Sequence, residues 1–208
     1  MKRKKLVYVS GGLVLATMVA LVAGYAFFAG PDLSSYERFR EPALLSMPSQ
    51  KVLLVEATGV PAKASEQAFG ALMSTYFKLP EVPRGPGMPA PRARWPKDLD
   101  TPPEQWLGLF AMPVPDSVTT VPSGDSPNQP QPRLATWEYG QVAQILHVGP
   151  YGNEAPTVER LRAFIRAQGL EISGHHEEEY LRGPGMFGKG DPERYYTLIR
   201  YPVRKAGN

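Results

Sequence analysis

Hydrophobic residues follow three different patterns along this chain. Between Leu6 and Gly30 they dominate a run that no charge interrupts. From Trp106 to Val114 and from Tyr195 to Val203 the large apolar residues fall on alternate positions: Trp106, Phe110, Met112, Val114 and Tyr195, Ile199, Tyr201, Val203. That is the period of a strand with one buried face. Phe69, Leu72, Met73, Tyr76 and Phe77 are spaced instead at i, i+3, i+4, i+7 and i+8, which predicts a helix with all five on one face and Ser65 as its cap. A second helix is predicted from Pro156 in its first turn, through Val158, Leu161, Phe164 and Ile165, to Gly169 just past its end. A strand over Leu170 to Leu181 follows, then the last strand.

The two halves match each other. Lys51 to Gly59 lies over Gln141 to Gly149 at an offset of 90, and Trp106 to Val114 over Tyr195 to Val203 at an offset of 89. Each unit reads strand, helix, strand, strand, so the expected fold class is α+β. Duplicated units form one antiparallel sheet or half-barrel with two helices on one side. Repeat one runs over about 42–114, a Pro-rich connector over 115–133 and repeat two over about 134–205, within a domain of residues 42–206. Residues 80–103 hold eight prolines and 113–133 hold six, which predicts stiff loops poor in backbone donors.

The uninterrupted apolar run is long enough, at 1.5 Å per residue, to cross a hydrocarbon core of about 30 Å. Lys2, Arg3, Lys4 and Lys5 precede it and Asp32 follows. The positive-inside rule then makes residues 1–5 a cytoplasmic basic tip, 6–30 a single transmembrane helix and 31–41 a linker, with the domain on the periplasmic or extracytoplasmic side. A cleaved signal peptide is the alternative, disfavoured by the length of the run. These four cations also account for the basic character of the chain: of 23 Lys and Arg, 19 remain against 20 Asp and Glu. A folded part without net positive charge argues against a nucleic-acid partner. The chain has no cysteine, hence no thiolate nucleophile, disulfide framework or cysteine-held metal.

Several motifs suggest chemistry. Gly183 to Gly190 satisfies G-x-G-x-x-G, yet too little chain follows it for a nucleotide fold, and a glycine turn accounts for it better. The pentapeptide RGPGM occurs at Arg84–Met88 and Arg182–Met186, out of register with the repeat. His175-His176-Glu177-Glu178-Glu179 resembles a metal cluster, but in a strand alternate side chains diverge. His176, Glu178 and Tyr180 share one face and His175, Glu177 and Glu179 the other, which is expected to be a solvated charged face. No metal site and no cofactor is expected. Glu178, carried to the same side as Tyr180, is a carboxylate among aromatic groups and thus a ligand anchor or an acid or base of raised pKa. The alternative is a rim carboxylate facing water.

Taken together, His147-Val-Gly-Pro-Tyr151, the helix ending in Gln168-Gly-Leu170, Glu178-Glu-Tyr-Leu181 and Ile199-Arg-Tyr-Pro-Val203 resemble the GyrI-like small-molecule-binding domain. This is also the effector-binding domain of AraC-type and MerR-type regulators. The resemblance covers roughly residues 42–205. It implies a central pocket for apolar, often cationic or aromatic, small molecules, with the glutamate of the E-x-Y-L strand inside it. That glutamate corresponds to Glu178, with Tyr180 beside it. The corresponding strand of repeat one is Arg92 to Trp95, with Ala93 opposite Glu178 and Trp95 opposite Tyr180. The ligand-binding residues so implied are Glu178, Tyr180, Trp95 and Tyr151. The regulators' helix-turn-helix is replaced here by the apolar N-terminus.

Four functions are consistent with this reading. One is a tethered module binding an apolar or cationic ligand, and another is a hydrolase in which Glu178 and Tyr180 activate water. A third is a haem protein like the SOUL family, with His147 as axial ligand. The last is a structural module whose pocket is filled by Trp95, Trp106 and Tyr201 and which contacts a protein partner.

Overall fold

The computed structural model describes residues 32–97, 101–122, 130–184 and 190–207. The expected transmembrane helix over 6–30, the basic tip before it and most of the Gly183–Gly190 loop lie outside these residues. Among the described residues no helix is long and apolar enough to cross a membrane.

Among the described residues, nine strands and two α-helices appear in the order β1 (Ala43–Met47), β2 (Gln50–Thr58), α1 (Pro61–Tyr76), β3 (Arg92–Trp95), β4 (Leu107–Pro113), β5 (Arg133–Trp137), β6 (Gly140–Val148), α2 (Ala155–Ala167), β7 (Leu170–Ile172), β8 (His176–Arg182) and β9 (Tyr196–Lys205). The strands form one antiparallel sheet, curled as a half-barrel, in the order β1-β6-β9-β8-β3-β4-β2-β5, with β7 added on β9. Gly59 and Gly149, 90 residues apart, take positive φ of 123° and 136° where β2 and β6 end. Their N–H groups donate to the carbonyls of Trp106 and Tyr195, both at 3.0 Å. The same turn therefore launches both helices, in a conformation that disfavours any side chain. β1 and β5 were not anticipated. Each leads through a short turn into its own unit's next strand in sequence but pairs with the other unit: β1 on β6, β5 on β2. This exchange ties the halves together at both edges.

Partnered residues in an antiparallel sheet point to one face. Val55, Phe110, Ala93, Glu178, Ile199 and Ile145 form such a row across six strands. Around one end, α1 buries Ala68, Ala71, Leu72 and Tyr76 against Leu53, Val55, Phe110 and Met112. Around the other, α2 buries Val158, Leu161 and Ile165 against Ala143, Ile145, Ile199 and Tyr201. Both helices thus cover the same face, and Glu178 is the polar position in the middle of the row.

Local expectations are corrected at four places. The first helix starts earlier than expected, with Val60 at its cap and Pro61 in its first turn, while the Ser65 hydroxyl donates to Pro61 O from inside the helix. Its buried stripe is Ala64, Ala68, Ala71, Leu72, Thr75 and Tyr76. Phe77 lies past the helix end and is 49% exposed, whereas Leu72 and Tyr76 of the expected face are buried and Phe69 and Met73 pack against the core. The expected strand over Leu170–Leu181 is two strands broken at residues 173–175, since β7 pairs near the end of β9 and β8 near its start. Within the expected linker, residues 34–40 form a 3-10 helix with Phe39 buried.

Candidate functional site

Strand alternation places His176, Glu178 and Tyr180 on the helix-covered face. The Tyr180 hydroxyl donates to Glu178 Oε2 at 2.6 Å, and His176 Nε2 is 2.9 Å from Oε1. On its other side His176 Nδ1 meets the Tyr201 hydroxyl at 2.8 Å, and Arg162 Nη2 donates to that hydroxyl at 3.4 Å. With His176 protonated at Nε2, every bond has one donor: Arg162 to Tyr201, Tyr201 to His176, and His176 and Tyr180 to the Glu178 carboxylate. Glu178 keeps 13% of its side-chain surface open. Burial and then the Glu178 charge push the Tyr180 phenol well above its ordinary value, so it stays a donor.

An unbroken chain of ring contacts runs to this carboxylate. Trp106 meets Trp95, Trp95 meets Phe110, and Phe110 meets Phe69 of α1, all with centroids 5.2–5.5 Å apart. Phe69 meets Tyr180 edge-on at 5.7 Å, Tyr180 meets Tyr151 at 5.6 Å, and Tyr151 meets Tyr195 at 5.1 Å. Tyr151 is 37% exposed and stands at the rim. Its phenol is pushed up by burial and by neighbouring Tyr195, Glu154 and Glu178. The structure therefore brings Tyr180 and Tyr151 together with Glu178. Trp95 belongs to the same face but not to the same contact. Ala93 pairs with Glu178 as expected, whereas Trp95 pairs with His176 rather than Tyr180. β3 runs antiparallel to β8, so advancing along one retreats along the other.

Glu154 was missed. It occupies the entry to α2, where a short side chain ordinarily caps the helix, yet it makes no cap hydrogen bond. Only 9% exposed, with Oε1 buried and unpartnered, it reaches the Glu178 site instead. Burial and then the Glu178 charge push its carboxyl up to about 9. A glutamate at a cap position that it is too long to serve is the signal that pointed to it. Oxygens of Glu154 and Glu178 and a nitrogen of His176 lie within 4.8 Å of one another.

The opposite face of β8 overturns the expectation of a solvated charged surface for His175, Glu177 and Glu179. His175 is exposed. Glu177 is fully buried and Glu179 only 7% exposed, because three arginines from two other strands meet them. Arg94 Nε and Arg200 Nη1 each donate to Glu177 at 2.7 Å, and Arg200 Nη2 donates to Glu179 at 2.7 Å. Arg92 stands 3.3 Å from Glu179. Tyr139 donates to Glu177 at 2.9 Å, and Arg94 stacks 4.0 Å over Trp137. Burial opposes the Arg200 charge, but Glu179 and Glu177 more than offset it and hold it protonated. Arg92 and Arg94, in the Pro-rich stretch, thus belong to a central strand.

His147 does not fit a haem ligand. It is 5% exposed, with Nδ1 3.0 Å from Thr157 Oγ1 and Nε2 3.2 Å from Pro150 O, so neither ring nitrogen is free. It fastens the β6–α2 turn.

No protein-family model matches the sequence, and no curated protein matches it. Solved structures share its fold. A hydrolase from Listeria innocua is 22% identical, with 84% of this chain and 100% of that chain covered and a TM-score of 0.63. An uncharacterized conserved protein from Listeria innocua is 24% identical, with coverage of 84% and 100% and a TM-score of 0.62. The EcmrR C-terminal domain is 16% identical, with coverage of 80% and 98% and a TM-score of 0.54. The chain has the fold of these proteins, consistent with the GyrI-like half-barrel that its sequence resembles.

Proposed function

We propose that this protein is a membrane-tethered, extracytoplasmic domain that binds a small apolar cation, aromatic or amphipathic, at Glu178. The observation that carries the reading is the place of Glu178: one carboxylate in an otherwise apolar row across six strands, between two helices and at the end of a chain of aromatic rings. A carboxylate so placed attracts positive charge, and the ring faces of Tyr180 and Tyr151 add about 0.5–2 kcal/mol per cation contact. In a thermal-shift screen of the full-length chain against hydrophobic cations, a compound at 100 times its Kd should stabilise the parent by about 2.7 kcal/mol. Glu178→Gln should lose that shift. Equal shifts in both proteins would remove Glu178 from the site.

A second reading, hydrolysis, is favoured by the 2.6 Å bond between Tyr180 and Glu178 together with the neighbouring protonated Glu154. Two carboxyl groups whose environments differ suit an acid and a base. It requires an electrophilic ligand that the parent turns over and Glu178→Gln binds without turning over.

The tether rests on the charge-free run over 6–30 and the four cations before it. A reporter active only outside the cytoplasm, fused after residue 208, should be active in the full chain and silent once residues 6–30 are removed. An active reporter in both would overturn the topology.

A further inference from the structure

Two carboxylates point into the same half-buried site, and among the described residues no lysine or arginine pairs with either. Glu178 has His176 and Tyr180 as partners. Glu154 is nine-tenths buried, with one oxygen entirely shielded and without a hydrogen-bond partner. Arg162, the cation nearest in the hydrogen-bond chain, is committed to Tyr201 and to Glu159. Such a pair either keeps a proton on one carboxyl or takes up a cation in its place.

We propose that Glu154, His176 and Glu178 bind a divalent first-row metal ion such as Zn2+, through one oxygen of each carboxylate and Nε2 of the imidazole. The three donor atoms lie within 4.8 Å of one another. Bonds of about 2.0–2.2 Å in a tetrahedral shell set neighbouring donors roughly 3.3–3.6 Å apart, so a modest inward movement of side chains closes the set. One imidazole with two carboxylates suits zinc, cobalt or manganese better than calcium or magnesium, which favour shells of oxygen. The outer contacts fit as well. Tyr201 sits at Nδ1, where its oxygen can accept the ring proton once Nε2 turns to a metal, and Tyr180 holds the second oxygen of Glu178. Three protein ligands leave a further position open to water or a ligand atom. The metal goes beyond the organic-cation reading and does not depend on it: both occupants use Glu178, and each excludes the other.

The test is titration of the chelator-stripped, untagged full-length chain with Co2+, followed by its visible ligand-field bands. One equivalent should saturate them, and Zn2+ should displace them. Glu154→Gln and His176→Asn should abolish the bands, Tyr201→Phe should weaken binding about 10- to 100-fold, and His175→Asn, at the exposed neighbour, should leave them intact. No saturable band in the parent, or a band lost with His175 and kept without His176 or Glu154, overturns the proposal. Near-ultraviolet circular dichroism confirms that each variant is folded. Thermal shifts by hydrophobic cations, run in parallel, keep the two readings apart. Cobalt bands without organic-cation binding sustain the metal and sink the proposed function, and the converse sinks the metal alone.

Discussion

Replacing Glu177 with alanine is expected to cost about 3–5 kcal/mol of folding stability, the largest effect of any single change considered for this protein. Glu177 is fully buried and receives Arg94, Arg200 and Tyr139. Three guanidinium groups, of Arg92, Arg94 and Arg200, meet two carboxylates there, and Arg92 Nε and Arg94 Nη2 already lack partners. Without Glu177, the three would face Glu179 alone in a site closed by Tyr139 and Trp137. The attraction between buried partners little more than repays their desolvation, but a buried charge left without its partner keeps the whole penalty. Set against a total of roughly 5–15 kcal/mol for a domain, this is a large fraction. Urea denaturation followed by circular dichroism measures it. A loss under about 1 kcal/mol, the value of a surface pair, would mean that water reaches the network.

Glu154→Gln is expected to act in the opposite direction, and only above mildly acidic pH. The carboxyl of Glu154 is raised from 4.5 to about 9 by burial and then by Glu178. Between those values the folded state holds a proton that the unfolded state has released, so stability falls as pH rises through this window. The sign follows from the shift: a raised carboxyl favours folding at low pH and opposes it at high pH. At 1.36 kcal/mol per unit the effect is on the order of a few kcal/mol after relaxation of the site. Glutamine has the shape of the neutral acid and cannot ionise. The variant should therefore match the parent near pH 5, exceed it near pH 8–9, and show a flatter profile. The groups around Glu154 are Glu178, His176, Tyr180 and Tyr151, and the two tyrosines stay neutral because both are pushed up. Melting temperatures across pH, with chelator present, measure this. Parallel profiles for parent and variant would mean that Glu154 is already ionised in the folded protein.

Period and spacing were enough for much of the frame. Alternation in Trp106–Val114 and Tyr195–Val203 set the buried faces of β4 and β9, where Phe110, Met112, Ile199 and Tyr201 are at most 3% exposed. The second helix was legible because proline and glycine mark its ends and its apolar stripe is regular. The first was legible in part: Leu72 and Tyr76 are buried and Phe69 and Met73 pack against the core as expected, while Phe77 is exposed. Half of its buried stripe is alanine, which carries little hydrophobic signal, so Ala64, Ala68 and Ala71 went unread beside Leu72 and Tyr76.

The candidate site divides in the same way. That Glu178 and Tyr180 share a face with His176 follows from the two-residue period alone, whereas Ala93 standing opposite Glu178 was implied by the family resemblance. What covers each face does not. Glu177 and Glu179 read as solvated because five polar residues in a row look like a surface. They are buried because Arg92 and Arg94 come from one neighbouring strand and Arg200 from the other, bringing charges 83 and 23 residues distant in sequence to Glu177. Glu154 joins Glu178 by a helix entry folding over the sheet, and β1 and β5 find their partners in the opposite unit. The sequence by itself determined which side of a strand each residue takes, since that depends on local backbone geometry. Only the tertiary structure decided whether that side meets water, a cation or another carboxylate, since a charge is buried or exposed according to what long-range pairing brings against it.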